Sequence, residues 1–336
     1  MVEMLKWGVL GNATIARVCI IPAIQKSKNG RVHALATRFP AGAEEVAEKN
    51  SIHAVYEGYD AVLNDPQIGA VYIPLPNHLH RPWTLKALCA GKHVLCEKPL
   101  ACTAREAQEM FDTASKTGML LMEAFMYRFH PRSLRIKQMI AERFIGEPRL
   151  LRSAFCYRFP ENEYKSGQNA RLKPQTGGGA LLDVGCYSVS VARWLLGQEP
   201  KQVQAQAVYH PRGVDVHIVG LMRFSDSCIA TLEASFISAL QQTYTVVGSK
   251  GAIELPHDAF IPWQKDARFT VRGVDKETGD EFVVPGADEY QLMLEHFADA
   301  ALGKRKLAFS AQDSILNMQV LDALAEAAKT GKTVFL

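Results

Sequence analysis

Leu5-Lys6-Trp7-Gly8-Val9-Leu10-Gly11-Asn12-Ala13-Thr14-Ile15-Ala16 is the stretch that decides the fold. Residues 5–10 read as a short apolar strand, Gly11 to Ala16 as a turn, and an apolar-periodic helix is expected to run on through residue 24. The turn is a G-x-A-x-x-A form of the dinucleotide fingerprint. Gly11 permits the tight turn, small Ala13 lets backbone approach a pyrophosphate, and Ala16 allows close packing of helix on strand. A helix N-terminus placed there faces phosphates with free N–H groups and a positive dipole end. A plain strand-to-helix turn is the other reading of these residues.

The surrounding pattern favours the first. Strands are expected at residues 32–36, 71–74, 92–96 and 120–122, and helices at 41–49, 83–90 and 104–117. Strands alternating with helices of this length mean βαβ units and a parallel sheet. After about residue 146 the rhythm changes. Segments 150–157, 203–209, 216–224, 228–236, 244–247, 252–255 and 268–272 are β-branched or alternating, which marks a mostly antiparallel sheet. Helices are expected at 180–196, 289–302 and 311–330. The predicted fold is α/β: a doubly wound, parallel Rossmann domain over 1–125, then an α+β domain over 126–336 with a large open sheet. The C-terminal helices are free to pack back on the first domain. A chain of 336 residues suits two cores better than one.

Composition narrows the function. With 48% hydrophobic and 22% charged residues, the chain is an ordinary folded protein. A net charge of +3 gives no reason to expect nucleic acid or a membrane as partner. No apolar run reaches the roughly 18–20 residues that span a bilayer. The opening residues carry an early acid and lack a signal-peptide layout, so a cytoplasmic location is expected. Seven scattered cysteines without a CxxC pair read as free thiols.

The end of the second strand bears on which nicotinamide would bind. NAD sites usually place an acid about 20 residues past the glycines, on the ribose hydroxyls. Here Ala36-Thr37-Arg38 stands instead, and Arg38 suits a 2′-phosphate, so NADP is favoured over NAD. A solvated surface arginine is the alternative.

Further along stand Ile73-Pro74-Leu75-Pro76-Asn77-His78-Leu79-His80, Glu97-Lys98-Pro99-Leu100, Met122-Glu123-Ala124-Phe125-Met126-Tyr127-Arg128-Phe129-His130-Pro131 and Gly177-Gly178-Gly179-Ala180-Leu181-Leu182-Asp183-Val184-Gly185-Cys186-Tyr187. This set, in this order, resembles the glucose–fructose oxidoreductase / inositol dehydrogenase (Gfo/Idh/MocA) family over nearly the whole chain. Within that family it is most similar to NADP-linked aldose dehydrogenases of the D-xylose type and to dimeric dihydrodiol dehydrogenases. The resemblance implies that Gly11, Ala13, Thr14, Ile15, Thr37, Arg38, Pro74, Leu75, Asn77, His80, Glu97, Lys98 and Arg128 line the dinucleotide. It also implies a homodimer or homotetramer built through the open C-terminal sheet. Inositol dehydrogenases carry histidine where this sequence has Tyr187, so the resemblance alone does not name the proton carrier.

Hydride transfer needs the substrate carbon held near the nicotinamide and a proton moved on or off its oxygen. Lys98 ends a parallel strand, where ligands bind in such sheets, and the resemblance gives its ammonium the task of stabilising charge on that oxygen. Asp183 and Tyr187 are four apart on one expected helix and share a face. A phenol near its ordinary pKa of ~10 is a poor base at neutral pH, so a nearby Lys98 would have to lower it. Tyr187 is therefore expected to be the general acid/base, and Asp183 to orient a sugar hydroxyl or the lysine. Asn169 and Arg171 are either sugar ligands or a surface loop. The glycine run is either a flexible turn or room for substrate. Phe260 and Trp263 either wall a sugar site or pack within the fold. Glu123 and Arg128 either line the cleft or form an ion pair. His78 and His80 lack a third ligand, so no metal is expected. The expected substrate is a small sugar or diol, most simply an aldose oxidised at its anomeric carbon. Trans-dihydrodiol oxidation and sugar ketone reduction are the other enzyme readings. A regulatory protein that senses NADP without turnover is the rival from another class, but it has no need for both Lys98 and Tyr187.

Overall fold

The computed structural model describes residues 4–38 and 42–336. The helix start read at residue 41 and the first three residues of the chain lie outside the described residues. The chain divides into two compact units. The first runs to Phe129 and takes in Asp288–Ile315; the second holds His130–Ala287 and Leu316–Leu336.

In the first unit β1 (Leu5–Leu10), β2 (Gly30–Thr37), β3 (Ala54–Glu57), β4 (Ala70–Ile73), β5 (His93–Cys96) and β6 (Leu121–Glu123) form one sheet. Its order is β3-β2-β1-β4-β5-β6 and every pairing is parallel. Parallel strands must be covered on both faces, and β1 and β4 are accordingly almost wholly buried. The helix Ala104–Thr117 matches its expected bounds, with Thr103 capping it by accepting the Glu106 N–H at 3.3 Å. The helix Glu289–Ala301 belongs to this unit, where Phe297 meets Trp7 with ring centroids 5.3 Å apart. The sequence reading passes over β3 and the helix Tyr59–Asn64. Ala54-Val55-Tyr56-Glu57 is a half-buried edge strand that ends on a charged residue, so it lacks the continuous apolar run that marks the buried strands.

In the second unit β7 (Pro148–Arg158), β8 (Gln202–Tyr209), β9 (Asp215–Ser225), β10 (Cys228–Ser235), β11 (Ile237–Gly248), β12 (Gly251–Leu255), β13 (Ala267–Gly273), β14 (Asp280–Val284) and β15 (Val334–Phe335) build a nine-stranded sheet. All neighbours are antiparallel except β7 and β10, which pair in parallel. β14 and β15 went unread because one is short and largely exposed and the other spans two residues. Alternation gives the sheet two unlike faces. Val216, Ile218, Met222 and Phe224 of β9 are buried with Ala230 and Leu232 of β10, whereas Val208, Val219 and Ile229 stay exposed. Leu324, from the helix Ala311–Thr330, reaches the buried face at Gly220, where a Cβ would lie 2.9 Å from Leu324 Cδ2.

Among the described residues no helix is long and apolar enough to cross a membrane, and no group of three His, Cys, Asp or Glu side chains could hold a metal ion. The cysteines are free. Leu324 is fully buried. Leu324→Ala is expected to lower unfolding stability by about 2–5 kcal/mol in urea titrations; a loss below about 1 kcal/mol would show that this helix does not seal the sheet.

Candidate active site

The strand order reverses direction at β1, whose neighbours β2 and β4 lie on opposite sides of it. Ligands of open parallel sheets bind beyond the strand ends at such a point. Gly11 follows β1 with φ +125°, a backbone that favours glycine. A Cβ there would stand 3.1 Å from Leu75 Cδ2 and 3.9 Å from the Tyr59 hydroxyl. The chain beyond Gly11 turns into a helix whose Arg17 N–H bonds to the Ala13 carbonyl at 3.1 Å. The preceding N–H groups, from Thr14 to Ala16, fall in the first turn, where helices leave donors without intrahelical partners. Residues Ala16–Ile20 form a π-helical turn before the α-helix Ile21–Lys26. Asn12 Oδ1 is buried and finds no hydrogen-bond donor. A cradle that a Cβ would crowd and the N–H donors of a helix's first turn fit a dinucleotide phosphate. Thr37 is buried at the end of β2 and Arg38 beside it is exposed.

The other expected cofactor residues lie at the ends of β4, β5 and β6. Pro74 and Leu75 are buried and Asn77 is half-buried, opening a short 3-10 turn over Asn77–Leu79. Glu97 and Lys98 follow β5 and are half-buried. His80 is 1% exposed, and its ring nitrogens lie 2.9 Å from the Pro99 carbonyl oxygen and 2.7 Å from that of Leu75. Burial holds its pKa down to about 4, against the carbonyl bonds, with the Lys98 charge adding to the drop. His80 is therefore turned inward, and as a neutral ring with a single N–H it donates to one of these two carbonyls at a time. Arg128 is buried too, ion-paired to Asp313 and stacked over Phe309 at 4.8 Å. His78 is exposed.

In the second unit the helix expected at 180–196 opens with a π-helical turn, Leu181–Gly185, and continues as the α-helix Cys186–Leu196. Asp183 and Tyr187 both face β7. Tyr187 packs on Phe155 with centroids 5.2 Å apart, and Asp183 accepts the Tyr157 hydroxyl at 2.8 Å. Arg171 joins them, with Nε 3.0 Å from Asp183 Oδ2. Burial first, and then Asp183, push the Tyr157 phenol far above its ordinary range, so it stays a donor. Asn169 is occupied within its loop: it accepts the Arg171 N–H at 3.1 Å and donates to Glu163 at 3.1 Å. Phe260 is fully buried against Tyr187 at 5.2 Å, so it backs the tyrosine, whereas Trp263 is exposed.

The glycine run has a structural purpose. The N–H groups of Gly178 and Gly179 bond to the carbonyls of Lys173 and Arg171 at 3.0 and 2.9 Å. A Cβ on Gly178 would stand 2.5 Å from the Arg171 carbonyl oxygen, and one on Gly179, at φ +124°, 2.2 Å from Asp215 Oδ1. That close approach lets Asp215 accept the Leu181 N–H at 2.7 Å and so cap the helix from another strand. Burial raises the Asp215 pKa to about 6 despite these backbone bonds. Tyr157 and Asp215 escaped the sequence reading. The Phe155-Cys156-Tyr157 alternation hints at the first, while nothing local marks the second.

Comparison with known proteins agrees with this architecture. Residues 5–125 match the family described as "Oxidoreductase family, NAD-binding Rossmann fold", and residues 133–254 match "GFO/IDH/MocA C-terminal domain". D-xylose 1-dehydrogenase (NADP(+)) 2 of Haloferax volcanii is 36% identical over 98% of this chain and 99% of its own. Trans-1,2-dihydrobenzene-1,2-diol dehydrogenase of Xenopus tropicalis is 31% identical over 76% of this chain and 77% of its own. A 3-ketoreductase of Actinomadura kijaniata, solved with NADP and TDP-benzene, superposes with a TM-score of 0.89 at 31% identity, covering 97% of this chain and 98% of that one. The chain belongs to the Gfo/Idh/MocA family and is an oxidoreductase with a dinucleotide-binding Rossmann fold.

Two outcomes follow from the geometry. Gly179→Ala is expected to cost roughly 2–5 kcal/mol, from strained backbone plus the clash with Asp215. Gly91, at φ +73° with nothing near a Cβ, is the control. Gly91→Ala should cost roughly 1–2 kcal/mol in the same denaturant titration, and equal losses at both positions would refute the clash. The second concerns pH. Burial raises the Glu123 pKa from 4.5 to about 7. The folded state then holds a proton that the unfolded chain releases, so this contribution is full below about pH 4.5 and lost as pH rises through about 7. Glu123→Gln should flatten that fall, worth on the order of 3 kcal/mol, in stability measured from pH 4 to 8. An unchanged pH slope would contradict the assignment.

Proposed function

We propose that the protein is an NADP-dependent dehydrogenase acting on a CH–OH group of a sugar, with an aldose oxidised at its anomeric carbon to a lactone as the leading substrate. The observation that carries this reading is the Gly11 cradle at the strand-order reversal with Arg38, not an acid, directly after β2. Arg38 supplies a charge-assisted partner for a 2′-phosphate. The printed activity of the Haloferax volcanii relative supports both the cofactor and the aldose. The NADP and TDP-benzene bound to the Actinomadura kijaniata 3-ketoreductase support a second reading, reduction of a keto-sugar nucleotide by the same site in reverse. Oxidation of a trans-dihydrodiol is the third.

When bound, the nicotinamide supplies the hydride acceptor. Gly11, Ala13, Thr14 and Ile15 hold its pyrophosphate, and Pro74, Leu75, Asn77 and Glu97 line its course. Lys98 donates a hydrogen bond to the reacting oxygen and stabilises the negative charge that the departing hydroxyl proton leaves there, or that builds up when hydride adds in the reverse direction. Tyr187 takes the hydroxyl proton in oxidation and returns it in reduction. Asp183, held by Arg171 and Tyr157, orients a neighbouring hydroxyl. The exposed sheet face carrying Val208, Val219 and Ile229 is the surface through which two or four copies assemble in the cytoplasm.

Reduction of NADP, followed at the nicotinamide absorbance over aldoses, inositols and diols with NAD in parallel, tests the reading. Turnover of one aldose with NADP is expected. Lys98→Met should cut kcat by roughly 10²–10³ while NADP still binds. Arg38→Ala should weaken NADP binding roughly 10–100-fold and leave NAD nearly unchanged, and equal losses would rule out the 2′-phosphate contact.

A further inference from the structure

The segment around Lys98 is held residue by residue by buried side chains from three separate elements. Tyr72, within β4, donates its hydroxyl to Glu97 Oε1 at 2.6 Å. Burial, followed by the charge of Glu97, pushes this phenol well above its ordinary range, so it remains a donor. The other Glu97 oxygen accepts the Lys98 backbone N–H at 3.2 Å. His80, opening the helix His80–Cys89, reaches the Pro99 carbonyl at 2.9 Å. Glu123, closing β6, accepts the Leu100 N–H on Oε1 at 2.9 Å. Tyr72, His80 and Glu123 are 0%, 1% and 0% exposed, so none offers a surface to substrate.

We propose that Tyr72, His80 and Glu123 are positioning residues that fix the backbone on both sides of Lys98, so that its ammonium is presented from a loop already locked in place. The consequence for catalysis rests on the role given to Lys98 in the proposed function; the clamp itself does not. Ordering achieved during folding need not be repeated at the transition state, which is why supporting residues affect rate without touching substrate. A clamp drawn from β4, β6 and a helix start also ties the loop to three buried segments of the unit.

Glu123 adds a pH signature. The groups facing it are Arg128 from the turn Met126–Phe129, Asp313 and Ser314 from the start of the helix Ala311–Thr330, and the Cys96 thiol of β5. Ser314 and Arg128 favour the carboxylate and Asp313 opposes it, but burial dominates and the group changes charge near pH 7. The carboxylate is the stronger acceptor for Leu100, so the loop is tightest above that pH.

Amide hydrogen exchange resolved at single residues of the full chain tests the clamp. Lys98 and Leu100 are the reporters and Leu95, inside β5, is the reference. In Glu123→Ala, Leu100 should exchange roughly tenfold faster or more relative to Leu95, and in Tyr72→Phe the acceleration should fall on Lys98 and spare Leu100. Equal acceleration of all three amides in either variant would mean general destabilisation and overturn the proposal. With NADP and the aldose that turns over, Tyr72→Phe and Glu123→Ala should each lower kcat roughly 10–100-fold while KM for NADP moves less than about threefold. Glu123→Gln keeps a neutral acceptor, so its kcat should lie above that of Glu123→Ala, near the low-pH level of the unaltered protein, and should no longer change through about pH 7. Unchanged kcat alongside locally faster exchange would also overturn the positioning role. Absence of turnover in the unaltered protein would overturn the proposed function, and the exchange pattern would still decide the clamp.

Discussion

The architecture of the first unit depends on one reversal. The chain leaves β1 for β2 on one side and returns to β4 on the other, so the segments following β1 and β4 diverge beyond the sheet. Parallel strands all end at the same edge, and the loops that carry Gly11, Arg38, Leu75, Lys98 and Glu123 therefore collect there. Everything else about that edge is a matter of clearance and support. Gly11 leaves room next to Leu75, and buried polar groups hold the loops that follow.

The second unit solves a related problem by different means. Both helices that open a functional segment begin with N–H groups needing an acceptor. In the first unit they follow the Gly11 turn at the end of β1. In the second, Asp215 of β9 supplies the anion from the protein itself, bonding to Leu181 at 2.7 Å. One helix start thus follows the Gly11 turn without such a carboxylate, and the other is closed by Asp215 just ahead of Asp183 and Tyr187. The glycine run belongs to this second device. Its missing side chains make space for the Arg171 carbonyl and for Asp215.

Much of this was legible in the sequence, for identifiable reasons. Long periodic segments such as Ala104–Thr117 and Ala311–Thr330 fall where their patterns place them, because period and caps agree. The Rossmann crossing was readable from one strand-turn-helix stretch and the alternation after it. The edge strands β3 and β15 were not, since β3 is half-buried rather than fully apolar and β15 spans two residues. At the site, residue identities could be read but their environments could not. His80 looked available to a ligand, yet both ring nitrogens meet backbone carbonyls. The partners that define Asp183, namely Tyr157 and Arg171, lie on separate segments, and the bond from Leu181 to Asp215 joins residues 34 positions apart. Such pairings depend on strand register, and register is not written in local spacing.

The return of residues 288–315 to the first unit has a bearing on how the molecule is made. Trp7 of β1 packs on Phe297, Asn29 donates to Asp299 at 2.8 Å, and Arg128 pairs with Asp313. On a ribosome, the strands of the dinucleotide-binding sheet emerge well before residues 288–315 and lack these partners until that segment has been synthesised. The second sheet is translated in the interval, as a long excursion between two halves of one core. Closing so large a loop is slow compared with local pairing, so completion of the first unit is a late event in the life of the nascent chain.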